Sequence, residues 1–154
     1  MRLHLHGDVV SKDADFVLQS NVRQKALDEA LRELERRGDR YVHPEVRLFI
    51  EFPPGPLSIG EDLAIRPVEL TVAGIGPALA LSATDSCRDD RLAAFYHWND
   101  RQGLRLAVEI ARKQAVDLDA VKAWSINEGM VENYEEFVRE VRVSRGRRSK
   151  RTAR

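Results

Sequence analysis

Cysteine is almost missing. Cys87 stands alone in 154 residues, which excludes an internal disulfide and any zinc site built from several cysteines. It lies in a helical stretch beside Asp85, Arg88 and Asp89 and reads as a small packed residue rather than a nucleophile. No apolar run approaches the roughly 20 residues that a bilayer helix needs. The first residues, Met-Arg-Leu-His-Leu-His-Gly, lack the apolar stretch of a signal peptide. A cytoplasmic protein with no membrane attachment is the expectation. There is no internal repeat and no net charge, since twenty-five basic residues cancel twenty-five acidic ones. That balance hides an asymmetry. Residues 144–154 hold six basic residues and no acidic one, so the rest of the chain carries nineteen against twenty-five, a net of −6. An acidic body is a poor nucleic-acid surface, although a basic tail could touch nucleic acid by itself. That tail is expected to be disordered.

What is present reads as α+β: a small mixed β-sheet with a helix over residues 1–82, then a helical bundle over 83–143. Residues 14–19 read as a strand. Ser20 or Asn21 can cap a helix over 22–37, with Val22, Ala26, Ala30, Leu31 and Leu34 as its apolar stripe and Gly38 as its left-handed end. Residues 46–52 read as a strand stopped by Pro53-Pro54-Gly55-Pro56. Two further strands are expected over 65–72 and 75–81. Beyond them helices are expected near 85–97, with Thr84 as N-cap, and near 101–114, 118–127 and 131–143. Trp98 and Trp124 are expected in a core or an interface.

The chemistry-bearing pattern is Asp13-Ala14-Asp15 followed by Glu51 in Ile50-Glu51-Phe52. Residues two apart on a strand share a face, roughly 7 Å from each other. If the strand bearing Glu51 lies beside the first, three hard oxygen donors come together. Mg²⁺ prefers such donors with waters and substrate phosphates, and a two-metal site activates an attacking oxygen while neutralising a leaving phosphate. A D-x-D on a solvated strand is the plain structural alternative. His4 and His6 alternate on an edge-strand pattern; they could ligate a metal, and the plainer reading is that they face solvent.

Residues 82–102, Ser-Ala-Thr-Asp-Ser-Cys-Arg-Asp-Asp-Arg-Leu-Ala-Ala-Phe-Tyr-His-Trp-Asn-Asp-Arg-Gln, resemble a pattern in small prokaryotic nucleotidyltransferase-like proteins. These are relatives of abortive-infection toxin nucleotidyltransferases within the polymerase-beta-like superfamily. Lys12-Asp13-Ala14-Asp15-Phe16-Val17-Leu18 and the stretch from Tyr41-Val42-His43-Pro44 to Phe52-Pro53-Pro54-Gly55 are similar to the same family. The resemblance spans about 12–140, and its most specific part is 90–102. It implies a nucleotidyltransferase-like core over 1–82 with the helical half packed on it. It implies metal binding by Asp13 and Asp15 with Glu51 as third carboxylate, and nucleotide binding by Lys12 and Arg91. For Arg91 the structural alternative is an exposed arginine paired with Asp89 or Asp90. The family's upstream Gly-Gly or Gly-Ser phosphate loop has no counterpart here, because Gly7 is followed by Asp8. The chain therefore reads as a family member without its first structural unit, which leaves the strand at 14–19 as an open edge suited to a homodimer.

The implied activity is Mg²⁺-dependent transfer of an NMP from an NTP to a protein or RNA acceptor. The alternative is a non-catalytic interaction module, paired with an antitoxin or another regulatory partner. A third expectation is salt-sensitive nucleic-acid contact by the basic tail.

Overall fold

The computed structural model describes residues 13–18, 22–45, 47, 49–53, 57–72 and 76–152, without the side chains of residues 13, 72 and 145–152. Lys12, His4, His6, Gly7 and Asp8 lie outside the described residues. The chain is α+β, as its patterning predicts, and divides into two compact units. One comprises the chain up to Ser58 with Glu69–Ala80; the other comprises Ile59–Val68 with Leu81 onward.

The first unit is built on a mixed four-stranded sheet: β1 (Asp13–Asp15), β2 (Glu35–Arg37), β3 (Arg40–Val42) and β4 (Phe49–Glu51). Their order is β1-β4-β3-β2, with β1 parallel to β4 and the other pairs antiparallel. β1 therefore stands at one end of the strand order. Helix α1 (Gln24–Ala30) follows β1 and buries Leu27. It is much shorter than the helix expected over 22–37. Of the expected stripe, Val22, Ala26 and Ala30 are exposed and Leu31 is the C-terminal cap residue. Gly38, expected to end that helix, instead turns a hairpin. Arg37 pairs with Arg40 across Gly38-Asp39, and Gly38 alone of the two takes positive φ, at 67°. A glycine at the first of two turn residues supplies the positive φ that a two-residue hairpin calls for.

The hairpin delivers Tyr41, 3% exposed, to the centre of the unit. Its ring meets Phe52 edge-on at 5.7 Å, and Phe52 meets Phe16 at 5.9 Å. Its hydroxyl donates to Asp28 on α1, and the Gln24 amide donates to both Asp28 (2.9 Å) and Tyr41 (2.8 Å). Helix and sheet are thereby joined through one polar knot with an aromatic surround. Strands β5 (Val68–Val72) and β6 (Gly76–Ala80) pair as a separate two-stranded sheet, close to the two expected runs.

The second unit is helical: α2 (Ala83–Cys87), a π turn (Arg88–Leu92), α3 (Ala93–Trp98), α4 (Arg101–Lys113), α5 (Leu118–Asn127) and α6 (Val131–Thr152). Its core is formed by Leu92, Phe95, Leu104, Ala107, Val121 and Phe137, each no more than 3% exposed, with neighbouring small and aromatic residues. The single helix expected over 85–97 is broken by non-helical backbone at Asp89 (φ −52°, ψ −148°). Its N-cap is Ser82, whose Oγ accepts from the Asp85 amide at 3.0 Å. Thr84, expected in that role, accepts from the Asp117 amide instead. Asn99 at φ 51° ends α3, and Asp100 caps α4 by accepting from the Gln102 amide. Of the two tryptophans, Trp124 is 5% exposed and stacked on Tyr96, whereas Trp98 is 77% exposed.

Two boundaries differ from those expected. Ile59–Val68 groups with the helices, although the first unit was expected to run to residue 82. Residues 144–152, expected to be disordered, continue α6. Among the described residues no helix is long and apolar enough to cross a membrane.

Candidate carboxylate site

β1 can pair with β4 because each presents one small or apolar residue between polar or aromatic ones. The register sets Ala14 beside Ile50, and Ile50 beside Tyr41 on β3. Alternation then assigns the next row to charge. Asp15 is the cross-strand partner of Glu51, Glu51 of Arg40, and Arg40 of Arg37. Two carboxylates on β1 and β4 are thus followed by two guanidinium-bearing residues on β3 and β2. Asp13 lies two rows back, in register with Phe49; its side chain is outside the described residues.

Arg40 is the partner that sequence reasoning missed. Its Nε pairs with Glu51 Oε1, and its guanidinium lies over the Phe49 ring, 4.9 Å from the centroid. The Arg40 side chain is 53% exposed and that of Glu51 27%, so solvent screens the pair and its net contribution is about 0.2–1 kcal/mol. The signal that would have found Arg40 is Gly38-Asp39. Read as a hairpin turn, it sets Arg40 on the strand next to Glu51. The next charge in the row, Arg37, is held by Glu35 at 2.7 Å, which raises the guanidinium's pKa and lowers that of the carboxyl.

The other expected residues divide as follows. Lys12 is outside the described residues. Arg91 belongs to the helical unit, where it is 9% exposed and donates to the Ser86 carbonyl at 3.1 Å beside the π turn. It is therefore not the exposed helix arginine of the structural alternative. Its neighbour Arg88 bridges Asp62 (3.1 Å) and Asp85 within the same unit. Cys87 is fully buried, and burial pushes its thiol up to about 12, well away from thiolate chemistry.

Whether the carboxylates suit Mg²⁺ rests on donor type and placement. Asp15 and Glu51 are hard oxygen donors on directly paired strands, and Arg40 engages one of the two Glu51 oxygens. Such a set fits a hard divalent cation that brings its own waters and phosphates. Among the described residues, of which the Asp13 side chain is not one, no three His, Cys, Asp or Glu side chains are grouped as a metal site. Set against family models, curated proteins and solved structures, the chain matches none of them.

Proposed function

We propose that this chain is a nucleotidyltransferase-like protein that moves an NMP from an NTP to a hydroxyl of a protein or RNA acceptor. The observation that carries the reading is the parallel register of β1 with β4, which makes Asp15 and Glu51 direct neighbours with Asp13 two residues back. Helix α1 and the β2–β3 hairpin separate these residues in sequence, and the sheet joins them. Asp13, Asp15 and Glu51 would hold Mg²⁺, which supplies charge neutralisation at the reacting phosphates. Arg40 and Arg37 extend the same row with positive charge, the complement of a triphosphate beside a carboxylate-held cation. In the reaction the acceptor oxygen bonds to the α-phosphorus and the bond from that phosphorus to the bridging oxygen breaks. Pyrophosphate leaves, and Glu51 or Asp15 takes the hydroxyl proton.

A second reading, a non-catalytic interaction module, is favoured by the Arg40–Glu51 pair itself. A carboxylate that already has a cationic partner can serve the sheet alone.

Thermal unfolding with each NTP, with and without Mg²⁺, separates the two readings. A nucleotide at 100 times its Kd stabilises by about 2.7 kcal/mol, roughly 5–10 °C in Tm for a chain of this size. The shift is expected to need Mg²⁺ and to vanish in Asp13→Ala/Asp15→Ala. A cooperative transition that no NTP moves leaves the interaction module as the function.

A further inference from the structure

Helix α6 has two chemically different halves. Residues 131–143 bury Phe137 and Val141 in the helical unit and carry four glutamates, one of which, Glu136, pairs with Arg101 at 2.7 Å. Ser144 closes that half by donating to the Val141 carbonyl at 2.8 Å. The helix then continues to Thr152 through Arg145, Gly146, Arg147, Arg148, Ser149, Lys150 and Arg151, with no acidic and no large apolar residue. At about 100° per residue the basic positions spread around the axis rather than along one stripe.

A helix polar on every side has no face to bury against its own protein. In the sequence Arg148 and Arg151 are three apart and Arg147 and Arg151 four apart, spacings at which like charges disfavour a helix. Such a helix end is stabilised when a polyanion neutralises it.

We propose that the 144–152 extension of α6 is a docking site for double-stranded nucleic acid, which it grips by the phosphate backbone without reading sequence. Three features select this occupant. Protein partners are held by aromatic or aliphatic anchors in desolvated pockets, and this segment offers none. Single strands are held by base stacking on aromatic residues, and it has none of those either. Duplex phosphates need only positive charge, and arginine, which outnumbers lysine five to one over 144–154, supplies the planar fork that matches a phosphate. The site is independent of the carboxylates on β1 and β4.

The test is fluorescence anisotropy on the full chain with labelled 20-base-pair DNA and RNA duplexes of two unrelated sequences each, from 50 to 200 mM KCl. Engagement of about three to five phosphates gives a log–log salt slope of roughly −2.7 to −4.5, so affinity falls about 40- to 500-fold across that range. The two sequences are expected to bind alike, and the DNA and RNA arms identify which duplex is taken. The full-length variant carrying Arg145→Gln, Arg147→Gln, Arg148→Gln, Lys150→Gln and Arg151→Gln keeps good helix formers and every buried residue of α6. It is expected to lose the salt-dependent binding while keeping the wild-type Tm and any Mg²⁺–NTP shift. Undiminished binding by the variant overturns the proposal. So does tighter binding of a single strand, or of a polyglutamate peptide, than of either duplex.

Discussion

Gly103 shows how one missing methyl can position two helices. A Cβ placed there would lie 2.5 Å from the backbone carbonyl oxygen of Arg91, and backbone at a π turn cannot swing aside as a side-chain tip can. Alanine in a helix interior gains about 1 kcal/mol over glycine, whereas forcing an extra carbon into a packed contact costs about 1–3 kcal/mol. The collision is the larger effect, so Gly103→Ala is expected to lower the urea midpoint of the helical unit. An unchanged or raised midpoint would show that α4 does not approach Arg91 so closely. Asp28 offers a test in the other unit. Its carboxyl lies below the ordinary 3.8, first because the Tyr41 hydroxyl donates to it and next because the Gln24 amide does. A carboxyl depressed on folding stabilises fully above its unfolded value, and that contribution fades as pH falls from 3.8 through the folded value. In Tyr41→Phe the strongest donor is gone, so NMR titration should find Asp28 closer to 3.8 and the acid-side loss of stability from this group smaller. No movement of the Asp28 titration would sink this account of the knot.

At the scale of elements, legibility followed the reach of the signal. Helices α4 and α5 begin and end within a residue of the ranges expected for them, because the Asp100 and Asp117 caps and the buried Leu104 and Val121 act within a turn or two of the helix starts. The β1–β4 neighbourhood was legible only as a condition, since nothing local to Asp13 or Glu51 specifies which strand lies beside which. Residues 22–37 misled because Leu31 and Leu34 fit a helical stripe while Gly38 fits both a helix end and a hairpin. The contacts that decided between them are those of Tyr41, which are non-local. The kink at Asp89 had no visible signal, and its neighbours Ser86, Arg88 and Arg91 acquire meaning only once the chain has folded. Gly38 makes the hairpin reading testable. It has open space around it and φ 67°, so Gly38→Ala should cost only the left-handed penalty of about 1–2 kcal/mol. The hairpin reading also requires cross-strand NOEs between Arg36 and Tyr41. A chain helical through residue 37 would lack them.

For the whole molecule the consequential fact is that sequence order and unit membership part company at Ile59. Ile59 is 1% exposed within the core of the helices, yet it precedes the first of them, at Ala83, by a strand pair that belongs to the other unit. The same short stretch is pinned twice more. Ile59 and Asp62 exchange backbone hydrogen bonds at 3.1 Å, and Asp62 accepts from Arg88 at 3.1 Å. Gly60, at φ 59° within this turn, lies where a Cβ would come 2.3 Å from the Glu128 carboxylate. A boundary drawn where the helices begin therefore removes part of the core that they enclose. Losing a buried isoleucine down to alanine costs about 2–5 kcal/mol, and removing the residue with its turn also takes one of the two carboxylates from the mostly buried Arg88. A fragment from Leu57 to the C-terminus is accordingly expected to unfold cooperatively. One beginning at Ala83 should be less stable by at least about 2–5 kcal/mol in chemical denaturation, and Ile59→Ala in the full chain should reproduce much of that loss. Equal stability of the two fragments would mean that the helices complete their core without Ile59.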